Sequence, residues 1–294
     1  MKTKLPYLIS ALCLLAPMVG HADPQIEIYP VPETEILNEQ FSVKVNGQPV
    51  PVIEFGHHDY PNDPKKDRRI YAHFSFEGTV EIEVTGLDGH KLLPEHFGMD
   101  PSVLTDDRAV FTIEQPRYLV FSRQHLDPSG NSVFDALFIF ADPIDSRKPR
   151  PDAPEVLNYA DFEGTLNEAL SAVGTAEELD ILYIPPGTFY TDRALEIPSH
   201  VTLYLAGGAK IINANVRIEH AEHVKVRGRG VLEINRKRDN NYKNGIHIDY
   251  SEHITLEGVI SRNAGSWNTN AFNSRHVEML YLKVMNNFQH KLHP

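Results

Sequence analysis

Four short segments recur along the second half of the sequence: His200-Val201-Thr202-Leu203, His223-Val224-Lys225-Val226, His253-Ile254-Thr255-Leu256 and His276-Val277-Glu278-Met279. Each opens on a histidine, continues with a β-branched residue and places an apolar residue two positions after that. The starts lie 23, 30 and 23 residues apart. A second short strand follows each: Lys210-Ile211-Ile212, Val231 through Ile234, Val259-Ile260 and Leu282-Lys283-Val284. Units of this size cannot bury a core alone, so they must stack on one another. Because they contain only strands punctuated by Gly and Asn, they predict a parallel β-helix rather than a helical or leucine-rich solenoid. The longer interval is accommodated if Arg236 through Asn244 leave the stack as a loop on one face.

The recurrent histidines raise the question of a metal. Equivalent positions on stacked coils lie about one strand spacing apart, roughly 5 Å, which makes a ladder rather than a tetrahedral cage. No metal and no cofactor are therefore expected.

The first half has a different texture. Ile26 through Tyr29, Phe41 through Val45 and Thr79 through Val84 place apolar side chains on alternate residues, as half-buried strands do. Asn46-Gly47 reads as a hairpin turn. Ala109–Ile113, Tyr118–Ser122 and Ala136–Ala141 are further strands. This pattern predicts an antiparallel β-sandwich over residues 23–145. Residues 146–154, with three prolines among charges, predict an extended linker, and the β-helix is expected over 155–294. Thr165 through Ala172 is the clearest helix, with Thr165 as cap and Glu168 three residues on; it would cover the first coil.

Residues 1–22 read as a signal peptide: Lys2 and Lys4, an apolar run from Leu5 to Val19, then Gly20-His21-Ala22 for cleavage. The run is short and broken by Pro6 and Pro17, which argues against a membrane span. Cys13, the one cysteine, lies inside this segment, so the exported chain has no disulfide to rely on. Removing the segment takes two lysines with it and moves the net charge from −12 to −14. Such an acidic chain lacks the basic face that nucleic acid or an anionic membrane requires.

Leu182 through Phe189, Leu195, and Ser199 through Ala209 resemble the opening coils of the polygalacturonase-like enzymes of glycoside hydrolase family 28. The dextranase and isopullulanase group, which carries its own N-terminal β-sandwich, is similar. Ser266-Trp267 and Val277 through Asn286 resemble the coil those enzymes place ahead of their catalytic strands. The resemblance covers about residues 155–287. It implies a right-handed, pectin-lyase-like parallel β-helix, a polysaccharide substrate of plant, algal or dextran type, and hydrolysis by aspartates clustered on adjacent coils. Acid–base cleavage of a glycoside needs such paired carboxylates at controlled separation. The family's Asn-Thr-Asp, Asp-Asp, Gly-His-Gly and Arg-Ile-Lys motifs would follow Asn287, and the sequence runs to Pro294; Asn268-Thr269-Asn270 lacks the aspartate. The expectation is a β-helix that is incomplete at its C-terminus, a fragment without catalytic carboxylates, and no catalytic residue is carried over.

Candidate substrate contacts are Trp267, for stacking on a sugar ring, and Asn268 and Asn270, for sugar hydroxyls. His247 and Asp249 join them, because alternation in Ile246-His247-Ile248-Asp249-Tyr250 turns these two outward and Ile246, Ile248 and Tyr250 the other way. Arg236-Lys237-Arg238 could meet an anionic glycan, although charge runs usually form solvated loops. His57-His58 beside Asp59 reads as a loop of the sandwich. Two further functions stay open on the same architecture: a polysaccharide lyase, and a glycan-binding protein without catalysis.

Overall fold

The computed structural model describes residues 23–55, 69–93, 101–126, 132–234, 244–265 and 267–285. The segment read as a signal peptide, the His57-His58 pair, Arg236-Lys237-Arg238 and Ser266 fall outside them.

Residues 25–143 form two sheets of seven and five strands. Asn46 and Gly47, at φ +46° and +77°, turn the hairpin between Ser42–Val45 and Gln48–Val50, as the Asn-Gly pair predicts. The pairing is antiparallel except between Arg69–Glu77 and Ser132–Pro143, which run parallel. Arg69–Glu77 is buried along nearly its whole length because both of its faces are covered. Ile70, Ala72, Phe74 and Phe76 enter the sandwich core beside Val45, Ile82 and Phe121. Tyr71, His73 and Ser75, on alternate positions, face the second half of the chain instead.

That half is a right-handed parallel β-helix in which each coil contributes one strand to each of three sheets. The first sheet contains Ile181–Ile184, Thr202–Leu205, Lys225–Gly228, Glu252–Glu257 and Arg275–Leu280; the second contains Gly187–Tyr190, Ala209–Ile212, Val231–Glu233, Ile260–Arg262 and Lys283–Met285; the third contains Leu195–Glu196, Val216–Glu219, Ile246–Asp249 and Thr269–Phe272. Leu203, Val226, Leu256, Ile211, Leu232, Val216, Ile246 and Ile248 stack inside with no exposed surface.

The recurring histidine marks the corner where the third sheet turns into the first. His200, His223, His253 and His276 all have φ between +54° and +65°, a left-handed conformation that histidine tolerates better than most residues. Their rings form the predicted ladder, with centroids 5.3, 4.7 and 4.7 Å apart.

Helix α1 (Leu166–Thr175) closes the first coil. Thr165 and Glu168 complete a capping box, and Leu166, Ala169, Leu170 and Val173 are buried against the stack. The linker and the residue before it are tied down as a strap. Asp145 accepts hydrogen bonds from Tyr204 (3.0 Å) and Arg227 (2.7 Å), and Arg147 donates to both oxygens of Glu257. Ala153 packs on the stacked Tyr183 and Tyr204 rings, so one outer column of the first sheet is covered.

The sandwich covers the outer face of the second sheet. Phe55, Tyr71 and Phe140 meet Val231, Ile260 and Met285. Around this apolar patch lie buried ions: Arg262 donates to Glu35 (2.7 and 2.9 Å) and Glu233 (2.5 Å), and Lys210 pairs with Glu233 at 2.8 Å. Asp142 receives Lys283, His73 (2.9 Å) and Tyr118 (2.8 Å). Charges so far from water persist because each has an opposite partner and hydrogen bonds.

Candidate functional site

With the second sheet covered and the first partly strapped, the third presents Glu196, Arg217, Glu219 and Phe272 to solvent, with His247 and Asp249 half-buried and Asn270 buried at 8% exposure. Strand register aligns Glu196, Arg217, His247 and Asn270 in one outer column, and Glu219, Asp249 and Phe272 in the next. Ile246 and Ile248 point inward and are fully buried, so alternation places His247 and Asp249 outward as expected. Tyr250 departs from that pattern. It sits at the corner with φ +45°, is 58% exposed and stacks on His220 at 5.2 Å; the corner interrupts the alternation before the residue is reached.

Trp267 enters the last of these strands 57% exposed, its ring 5.5 Å from that of Phe272. Asn270 lies beside His247, whose Nδ1 is 2.9 Å from its Oδ1. With the amide oxygen as acceptor, the ring proton sits on Nδ1, and Nε2 is turned toward Glu219 at 3.8 Å. Asp249 Oδ1 accepts from Asn273 Nδ2 at 3.0 Å and from the Tyr250 amide at 3.1 Å. These bonds fix His247, Asn270 and Asp249 on one face, and the ring contact with Phe272 sets Trp267 there as well. Asn268 is elsewhere: it is buried, its Oδ1 accepts from Ser261 and its Nδ2 donates to the Met285 carbonyl, so it braces the coil interior.

Sequence reasoning missed Arg217, Glu219 and Phe272, which share the face. Val216-Arg217-Ile218-Glu219 alternates just as Ile246 to Asp249 does, and aligning the two would have found them. Arg217 and Glu219 are joined at 2.6 Å, and both line a groove of about 690 Å³ that runs to α1 past Glu196, Arg193 and Asn167. Exposed rings beside amide, imidazole and carboxylate groups suit a ligand with apolar faces and many hydroxyls. Among the described residues, three metal-type ligands converge at the histidine corner, at Glu252, His253 and His276, and not on this face. No helix among them is long and apolar enough to cross a membrane.

No family model matches the sequence, and no curated protein matches it. Among solved structures the chain is similar to Dex49A from Penicillium minioluteum, with 15% identity and a TM-score of 0.58 over 88% of this chain and 60% of that one. It also matches a family 28 exopolygalacturonase from Yersinia enterocolitica, with 12% identity and a TM-score of 0.35 over 90% of this chain and 57% of that one. The chain thus spans about three-fifths of the length of either protein. The likeness to Dex49A is one of fold, the right-handed parallel β-helix.

Proposed function

We propose that this is an exported protein of the glycoside hydrolase lineage that binds a polysaccharide along the outer face of its third sheet. The observation behind this reading is the contrast between a second sheet sealed by the sandwich and a third sheet whose outer face carries the exposed Trp267 and Phe272 beside the half-buried His247 and Asp249. The aromatic pair would stack on the apolar face of a sugar, and the polar column would take its hydroxyls. Asn270, being an amide, can accept or donate a hydrogen bond there but cannot itself serve as acid or base. Cleavage of O-glycosidic bonds, by hydrolysis or by elimination, would need carboxylates that we do not assign.

Affinity electrophoresis of residues 23–294 in gels containing dextran or polygalacturonate tests the proposal. One of the two should retard the protein, and Trp267→Ala should weaken that binding about tenfold, roughly 1.4 kcal/mol. Retardation by neither glycan, or retardation indifferent to Trp267, would refute it. Release of reducing ends or of unsaturated sugars in the same mixtures distinguishes a hydrolase or a lyase from a binding protein.

A further inference from the structure

The histidine corner carries chemistry that the third sheet does not. His253 and His276 lie on successive rungs with rings 5° from parallel. Glu252 sits beside both: its Oε1 is 3.3 Å from His253 Nε2 and 3.8 Å from His276 Nε2. The three ligand atoms all lie within 4.8 Å of one another. The other carboxylate oxygen takes Arg275 Nη2 at 2.5 Å. One oxygen is thus directed at two imidazole nitrogens while its twin is occupied. The upper end of the ladder is looser. There His200 and His223 stand 5.3 Å apart and 19° from parallel, and Glu222 approaches His200 at 3.4 Å.

We propose that Glu252 Oε1, His253 Nε2 and His276 Nε2 form a surface site for a zinc-type divalent cation, with water completing its shell. Two imidazoles and one carboxylate are the donors such ions take, whereas calcium and magnesium prefer oxygen alone. Bonds of about 2.1 Å put neighbouring ligands of a tetrahedral site about 3.4 Å apart. The two histidine–glutamate separations are already close to that value. From the 4.8 Å that bounds their separation, the imidazole tips must approach by up to about 1.4 Å, which exposed side chains can do by rotation about their side-chain bonds. The proposal departs from the sequence expectation of no metal, because the carboxylate supplies the third ligand that a ladder of rings lacks. A bound ion would tie two successive coils together at their corner.

Calorimetric titration of residues 23–294 with Zn²⁺, with the visible spectrum of bound Co²⁺ as a second readout, decides the matter. One ion should bind per chain, and His253→Asn, His276→Asn and Glu252→Gln should each weaken it at least tenfold. Asparagine accepts the left-handed corner, so the histidine variants retain their backbone conformation. His200→Asn should leave binding unchanged. A hundredfold excess of Zn²⁺ over its Kd should raise the melting midpoint by about 5 °C, an increase missing from Glu252→Gln. The proposal is overturned if binding does not saturate, or if it survives His276→Asn and Glu252→Gln. It is equally overturned if binding disappears in His57→Asn/His58→Asn, because the ion would then belong to that pair.

Discussion

His73 shows how one buried side chain ties the fold to pH. Burial, reinforced by the Lys283 charge, pushes its pKa from 6.5 to about 4. Asp142 tends upward on burial, but the Lys283 ammonium and the His73 hydrogen bond hold its carboxyl well below the carboxylate range. Burial likewise lowers Lys283 to about 8. In the folded chain His73 is neutral at pH 6, whereas in the unfolded chain it takes up a proton. The unfolded state then binds more protons, and its share of stability, complete above about pH 6.5, is lost as pH falls toward 4. Urea denaturation across that window should show about 3 kcal/mol less stability at the acid end from this group. The difference between the wild type and His73→Gln isolates that share; parallel curves for the two would refute the assignment.

Among the elements, α1 has the clearest mechanical task, because it covers apolar side chains that the first coil would otherwise expose. Leu170 is 1% exposed within that contact, so Leu170→Ala should cost about 2–5 kcal/mol, measured by chemical denaturation. The helix was readable because Thr165, Glu168 and the apolar positions lie within one short segment, although it runs three residues beyond Ala172. The corner histidines were readable for a similar reason: each coil makes the same turn, and the same residue recurs. The outer face of the second sheet was not. Lys210, Glu233, Arg262 and Lys283 look like solvent-facing charges in the sequence, and they are buried against Glu35 and Asp142 from a distant part of the chain. Asn268 was misplaced on similar grounds, since an asparagine bonded inside a coil looks like a surface one. The site face was legible where alternation held, at His247 and Asp249, and was lost at Tyr250 where the corner broke it.

At the scale of the whole molecule, the sandwich and the β-helix share buried ions as well as an apolar patch. Separating them would leave Asp142, Lys283 and Arg262 exposed or unpaired, and unpaired buried charges are strongly destabilising. Differential scanning calorimetry of residues 23–294 should therefore give one cooperative transition; two resolved transitions would show that the halves melt independently. The same interface changes how the molecule bears load. A bare solenoid pulled along its axis sheds coils singly, because each rung is held by its neighbours alone. Here Arg229, Arg262 and Lys283, on three successive rungs, are all fastened to the sandwich or the segment leading into it. The sandwich thus acts as a splint, and those rungs resist tearing as a block rather than unravelling in sequence.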